Sequence, residues 1–183
     1  MRIISGSHKG RRITAPKKLP VRPTADRAKE ALFNILNNRV YFDELSVIDL
    51  FSGTGNIAYE FASRGAVRIT TVDAHAGCTA FIAKTAEMLG FPITAIKGDA
   101  LGFLQKTPMK ADVIFADPPY DLELQVFTDI PKMVLERKLL NEGGVLIIEH
   151  SDKTDLSDQT GFQEQRKYGG SVFSFFENDS AAV

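Results

Sequence analysis

A doubly wound α/β domain built on a mostly parallel sheet is the fold this sequence predicts, and three patterns predict it. Short apolar segments recur without polar alternation, as strands covered on both faces require: "VIDLF", "RITTVD", "ITAIKGD", "DVIFAD" and "GGVLIIEH". Stretches with helical periodicity separate them. Each of the first four segments carries an aspartate at or near its carboxyl end, namely Asp49, Asp73, Asp99 and Asp117. In open α/β sheets, ligands bind outside those ends.

The elements follow in order. "RIIS" and "RRIT" flank "GSHKG", where Gly6 and Gly10 permit a turn, so a β-hairpin is expected at the start. "APKKLPVRP" is extended, because Pro16, Pro20 and Pro23 forbid a helix. Thr24 is the expected N-cap of a helix ending near Asn38, whose apolar stripe is Ala28, Ala31, Leu32, Ile35 and Leu36. After "VIDLF", "GNIAYEFASRG" reads as a helix closed by Gly65, and "AGCTAFIAKTAEMLG" as one closed by Gly90. A short helix runs through Phe103 and Leu104. "LELQVFTDIPKMVLERKLL" is helical, with Pro131 as a kink or break. "FQEQRKY" and "SVFSFFE", joined by Gly169-Gly170, form a terminal antiparallel hairpin and bring the strands to seven. Phe173, Phe175 and Phe176 are strand aromatics expected in the core or on the sheet surface. Residues 1–40 are expected to form a basic extension, and residues 41–183 the sheet domain.

Composition narrows the classes. The chain has 183 residues, 44% hydrophobic and 25% charged, which suits one ordinary globular core. The net charge is −1, but its distribution is uneven. Up to Lys29 there are nine cationic residues, among them Lys9, Arg11, Arg12, Arg22 and Arg27, against the single acid Asp26. A basic arm on a near-neutral body points to a polyanionic partner, with a solvated hairpin as the alternative. Cys78 is the only cysteine, so no intrachain disulfide can form, which fits a reducing cytoplasm. No apolar run is long enough to span a bilayer, and the N-terminus has no signal-peptide core. His8, His75, His150 and Cys78 lack metal-ligand spacing, so no metal is expected. Glu149 and His150 close the fifth strand at the ligand edge, where strand-end polarity is the simpler role.

Gly53-Thr54-Gly55 lies between the first strand and its helix, where glycine lets backbone approach a ligand. With Ala58 and Asp73 it also satisfies the dinucleotide fingerprint, so a nicotinamide-dependent oxidoreductase must be weighed. Asp117-Pro118-Pro119-Tyr120 separates the readings. Hydride transfer has no use for this tetrapeptide, whereas methylation of an exocyclic amine does. The lone pair of such an amine is delocalised into its ring. A carboxylate and a carbonyl accepting from both N–H bonds would localise and aim it, prolines would keep the acceptors stiff, and the aromatic ring would stack on an extruded base.

"DLFSGTG", Asp73, "GDA" and "DPPY" together resemble the S-adenosylmethionine-dependent methyltransferases that act on base amino groups. More closely, "RIISGSHKGRRI", "RPTADRAKEALFNIL", "DLFSGTGNIAYEFASRGA" and "DPPY" resemble the RsmD-type 16S rRNA (guanine-N2) methyltransferases of bacteria, over Arg2 to about Glu177. That resemblance implies a Rossmann-like class I methyltransferase fold, S-adenosylmethionine as cofactor, and 16S ribosomal RNA or the small ribosomal subunit as partner of a monomer. It also implies roles. Asp49, Ser52, Gly53 and Gly55 would line the methionine end of the cofactor. Asp73 would accept from the ribose hydroxyls, and Asp99 and Ala100 would meet the adenine. Asp117 and the Pro118 carbonyl would hold the amine, with Pro119 stiffening the loop and Tyr120 against the base. Lys9, Arg11, Arg12, Arg22 and Arg27 would face RNA. Relatives often carry an aromatic where this chain has His8, which implies weaker stacking there and leaves phosphate contact to its basic neighbours. The alternatives are methylation of adenine N6 or another guanine, the oxidoreductase, and a non-catalytic RNA-binding module.

Overall fold

In the computed structural model, residues 1–20 and 25–178 are described. Seven strands form one sheet in the order β3-β2-β1-β4-β5-β7-β6. The strands are β1 (Ser46–Leu50), β2 (Arg68–Asp73), β3 (Ile93–Lys97), β4 (Ala111–Ala116), β5 (Leu140–Ser151), β6 (Phe162–Tyr168) and β7 (Ser171–Glu177). The first five are parallel, β7 runs antiparallel to β5, and β6 antiparallel to β7. The seven-stranded, mostly parallel sheet with its terminal hairpin is thus the one expected. From β1 the chain builds outward through β2 and β3, then returns to lay β4 on the other side of β1. Strand order therefore reverses between β1 and β4. Connections on opposite faces diverge there and leave a crevice at the carboxyl ends.

The helices are α1 (Asp26–Leu36), α2 (Asn56–Ser63), α3 (Ala76–Leu89), α4 (Ala100–Lys106) and α5 (Leu124–Glu136). Two apolar layers cover the sheet. On one face Val47, Val113, Phe115, Ile147 and Phe173 pack with Ile3, Ile13, Leu32, Phe33, Tyr59 and Ile82 from the arm, α1, α2 and α3. On the other, Ile48, Ile114, Leu146, Ile148 and Phe176 meet Leu104, Phe127, Ile130 and Val134 from α4 and α5. Successive strand residues point to opposite faces, so runs such as Val47-Ile48 feed both layers. Phe173, Phe175 and Phe176 are fully buried, in the core and not on the sheet surface.

Several local expectations change. The arm is paired by one antiparallel bridge, Arg2 to Arg12, and not by a regular hairpin. Its loop folds back on itself through tight turns, with Gly10 N–H on the Ile3 carbonyl. Thr24 lies outside the described residues; α1 starts at Asp26 behind Ala25, which makes no side-chain cap bond, and ends at Leu36. The buried face of α1 is Ala28, Lys29, Leu32, Phe33 and Leu36, rotated from the expected stripe. Ala31 and Ile35 are only partly buried. A lysine occupies a core position, and an apolar pattern cannot include it. Pro131 does not break α5, which runs through it to Glu136 with the ring buried. β5 is longer than "GGVLIIEH" because a register irregularity opposite Ala111–Val113 lets the strand begin at Leu140.

Gly6 and Gly10 divide the arm's requirements cleanly. Both have positive φ, +85° and +83°. A Cβ on Gly6 would sit 1.8 Å from the Ser63 carbonyl oxygen at the end of α2, whereas one on Gly10 meets nothing within 4 Å. Ser7 N–H donates to that same carbonyl at 2.7 Å, which is why the backbone comes so close. Gly10→Ala should therefore cost only the left-handed backbone term, ~1–2 kcal/mol. Gly6→Ala adds a backbone collision and should lower the denaturant midpoint clearly further. Equal midpoints in the two variants would show that the arm does not press on α2.

Candidate active site

The site begins where β1 stops. Leu50 ends the strand, and Phe51 turns the chain with φ of +54°, a left-handed conformation that costs a bulky residue energy. Gly53 (φ +54°) and Gly55 (φ +88°) complete the loop, and Gly55 is the N-cap of α2. A side chain at Gly55 would also strike the Tyr59 ring, 2.8 Å from an added Cβ. The loop is tied to β2 at two points. Ser52 donates to the Val72 carbonyl from its N–H at 3.2 Å and its hydroxyl at 3.4 Å. Gly53 N–H donates to Asp73 Oδ2 at 2.8 Å, while Asp73 Oδ1 accepts from His75 N–H at 2.8 Å. Asp73 is only partly buried, and its oxygens have lone pairs left beyond these two bonds.

Asp49 is different. It is 2% exposed, and its Oδ2 has no hydrogen-bond partner among the described residues. Burial pushes its carboxyl up to about 8, Asp73 nearby pushes the same way, and a hydrogen bond from the Ala58 backbone opposes them. Below that value the group is a neutral acid held under the start of α2.

On the next strand, Asp99 is the N-cap of α4, its Oδ2 accepting from Gly102 N–H at 2.7 Å. Ala100, the first residue of α4, is buried. A surface cavity of about 530 Å³ reaches Asp99 along α4, lined in part by Ile96, Gly98, Phe103 and Lys106. Across the reversal point, Asp117 follows β4 with its N–H directed to the Leu50 carbonyl at 3.4 Å. Pro118 is buried, Pro119 is exposed, and Leu122 N–H closes a turn on the Pro119 carbonyl at 3.1 Å. Tyr120 is 45% exposed. Glu149 lies one residue past the Ala116–Ile148 pair, level with Asp117; it is buried and accepts from the Ser171 hydroxyl at 2.8 Å.

The expected residues therefore divide. Ser52, Gly53, Gly55 and Asp73 form one hydrogen-bonded loop system, and Asp49 is buried next to it, bonded to the Ala58 backbone. Asp117-Pro118-Pro119-Tyr120 hangs beside it, joined through Leu50. Asp99 and Ala100 stand at the outer edge, beyond β2. Lys9, Arg11, Arg12 and Arg27 are solvent-exposed, and Arg22 lies outside the described residues. The arm runs alongside α2. Its Arg2 carbonyl is tied near Asn56, at the helix start, while Ser7 and His8 bond to Ser63 at its end. The Arg2–Arg12 bridge thus lies toward the start of α2, and Ser7 and His8, next to Lys9, toward its end. His8 packs edge-on against Phe91 at 4.6 Å, so its ring anchors the arm. His75 and Cys78 form no metal site; the His75 Nδ1 caps α3 by accepting from the Gly77 and Cys78 N–H groups. No cluster able to hold a metal exists among the described residues.

Sequence reasoning missed Lys29, Asn56, Glu60 and Ser63, buried polar residues that join the arm to α2. A signal existed in the last three, spaced i, i+4 and i+7 on an otherwise apolar helix.

The model of the family described as conserved hypothetical protein 95 matches residues 1–177. The chain is 31% identical over 166 residues to the putative rRNA methyltransferase YlbH of Bacillus subtilis, covering 88% of each protein. It is 31% identical over 129 residues to ribosomal RNA small subunit methyltransferase D of Haemophilus influenzae, covering 68% of this chain and 66% of that protein. Among solved structures, the 16S rRNA N2 methyltransferase RsmC of Thermus thermophilus, in complex with AdoMet and guanosine, superposes with a TM-score of 0.71 at 22% identity. The match covers 87% of this chain and 45% of that one, a likeness of fold.

The buried Asp49 carboxyl has a measurable consequence. Its folded pKa, about 8, lies above the unfolded value near 4. Its contribution to stability is therefore complete below about pH 4 and is lost as pH rises toward 8. That loss should reach roughly 1 kcal/mol per pH unit at most. Asp49→Asn mimics the neutral acid and should flatten the fall in melting temperature between pH 5 and 8. Parallel profiles for parent and variant would mean that Asp49 is ionised in the folded protein.

Proposed function

Because this chain belongs to the conserved hypothetical protein 95 family, as an RsmD-type methyltransferase, we propose that it transfers a methyl group from S-adenosylmethionine to the exocyclic N2 of a guanine in 16S ribosomal RNA. The observation that carries this reading is Asp117-Pro118-Pro119-Tyr120, held at the point where strand order reverses, beside the glycine loop and Asp73. The oxidoreductase alternative is not favoured: it accounts for the glycines but not for this tetrapeptide, and the similar proteins are methyltransferases.

The residues fit the cofactor on three observations. Gly53 and Gly55 take positive φ in a tight loop, and a Cβ on Gly55 would strike Tyr59; Asp73 retains acceptor capacity toward a pair of hydroxyls; and Asp49 Oδ2 is a buried acceptor with no hydrogen-bond partner among the described residues, suited to an ammonium nearby. Asp49, Ser52, Gly53 and Gly55 take the methionine end, Asp73 the ribose, and Asp99 with the Ala100 backbone the adenine. When bound, S-adenosylmethionine supplies a methyl group already activated by the sulfonium. The protein's task is then positioning. Asp117 and the Pro118 carbonyl accept from the two N–H bonds of the amine and turn its lone pair toward the methyl carbon. The surplus proton left on the methylated amine would pass to the Asp117 carboxylate. Tyr120, with an exposed ring, stacks on the extruded base. No metal takes part.

Residues 1–40 act as the RNA-facing extension of a sheet domain spanning 41–183. Lys9, Arg11, Arg12 and Arg27, all exposed, meet RNA phosphates, and Arg22 is assigned the same role by its place in the basic stretch of the sequence. The enzyme works as a monomer in the cytoplasm on the small ribosomal subunit or its RNA. No described helix is long and apolar enough to cross a membrane.

Two measurements test this reading. Asp117→Ala should slow single-turnover methyl transfer to small-subunit RNA by about a hundredfold, the scale of misplaced reacting atoms, with little change in S-adenosylhomocysteine affinity. Near-parental transfer would remove the tetrapeptide from the chemistry. Replacing Lys9, Arg11 and Arg12 together with alanine should make the log–log salt dependence of RNA binding shallower by about 0.7–0.9 for each phosphate no longer neutralised. Cofactor affinity should stay as in the parent, and an unchanged slope would make the arm a solvated surface.

A further inference from the structure

Helix α2 is eight residues long and every one is buried. One face packs on the sheet through Ile57, Ala58 and Phe61. The other carries Asn56, Glu60 and Ser63, and this polar stripe faces the arm. Ser63 donates its hydroxyl to the Ser5 carbonyl at 2.7 Å and accepts from His8 N–H at 3.0 Å. Glu60 accepts from Ile4 N–H at 2.8 Å, Ser5 N–H at 3.0 Å and Arg64 Nε at 2.8 Å. Into this stripe α1 inserts Lys29, which is fully buried. Its Nζ donates to the Arg2 carbonyl at 2.6 Å and to Asn56 Oδ1 at 2.8 Å, with Glu60 Oε2 at 3.5 Å. An ammonium has three donors. Here they converge on three separate places: the arm, the first residue of α2, and the next turn of α2.

Glu60 has three other donors, so the ammonium is not needed merely to satisfy that carboxylate. Buried ion pairs can often be replaced by apolar residues of similar size with little loss of stability. What Lys29 uniquely supplies is a link from the Arg2 carbonyl to Asn56. Asn56 follows Gly55 directly, and Gly55 closes the loop through its N–H on the Ser52 carbonyl at 2.8 Å. We propose that Lys29 is a positioning residue for the cofactor: through Asn56 it makes the placement of the arm set the geometry of the Gly53–Gly55 loop. This rests on the proposed function, in which the loop holds the methionine end of S-adenosylmethionine. It also joins the two substrates, because the carbonyl gripped by Lys29 belongs to Arg2, whose side chain lies on the proposed RNA face.

The test uses the full chain and calorimetric titration with S-adenosylhomocysteine. Lys29→Met and Asn56→Ala should each weaken binding by about tenfold, the scale of one lost charge-assisted hydrogen bond. The double variant should bind no more weakly than either single one, since both break the same link. In methyl transfer, Lys29→Met should raise the KM for S-adenosylmethionine and leave the single-turnover rate at saturating cofactor near the parent's. A merely structural lysine would give an unchanged dissociation constant or additive losses, and either result overturns the proposal. If Lys29→Met fails to fold, Asn56→Ala decides alone: a tenfold loss at a melting temperature close to the parent's supports the link, and parental affinity overturns it. Asp73→Ala serves as the control. Unaltered affinity there would overturn the cofactor-loop reading itself, separately from the role of Lys29.

Discussion

The Glu60 carboxylate is the interaction on which the rest of this molecule hangs. It is fully buried between the sheet's helical layer and the N-terminal arm, and every donor that satisfies it comes from an element it must hold in place. Lifting the arm would take the Ile4 and Ser5 N–H donors from this buried carboxylate, and a hydrogen bond to a buried charged group is worth about 1.5–3 kcal/mol. The arm therefore cannot lift away from α2 cheaply. A segment with one β-bridge of its own becomes a fixed wall of the molecule. Arg64 extends the same cluster by stacking over Phe33, 4.7 Å from the ring centroid, which binds α1 to the end of α2.

Fixing α2 also fixes what precedes it. The loop from Phe51 to Gly55 takes left-handed conformations at three residues; at Phe51, which is not glycine, this is strain that persists only where surroundings over-determine it. Those surroundings are α2 on one side and, on the other, Asp73, whose carboxylate holds the Gly53 N–H. The same aspartate is the group proposed to take the ribose. One carboxylate thus shapes the loop and presents lone pairs to a ligand, which keeps the site organised in advance of binding.

The strand order then decides what meets this loop. Because β4 lies next to β1, the rigid Asp117-Pro118-Pro119-Tyr120 turn emerges beside Leu50, within reach of whatever the glycine loop holds. The terminal hairpin completes the far side of the crevice through Ser171, which bonds the buried Glu149 beside Asp117. Burial of Asp49 beneath α2 raises its pKa and keeps a second carboxyl close to the loop.

By itself the sequence determined the fold class, the seven strands and the position of each aspartate at a strand end. Strand burial follows from composition, and glycine and proline mark boundaries within a few residues. It also carried the chemistry proposed for Asp117-Pro118-Pro119-Tyr120, since that reading needs only residue types in consecutive order. The buried face of α1, the passage of α5 through Pro131 and the irregular arm were decided by packing. An apolar stripe cannot announce that Lys29 belongs inside, because the lysine's burial depends on acceptors from Arg2, Asn56 and Glu60, far apart in the chain. Likewise His75 became a helix cap and His8 an anchor on Phe91 only once distant backbone had come together. Local propensity is written in neighbouring residues; the satisfaction of a buried polar group is a property of the folded neighbourhood, and only the tertiary structure supplies it.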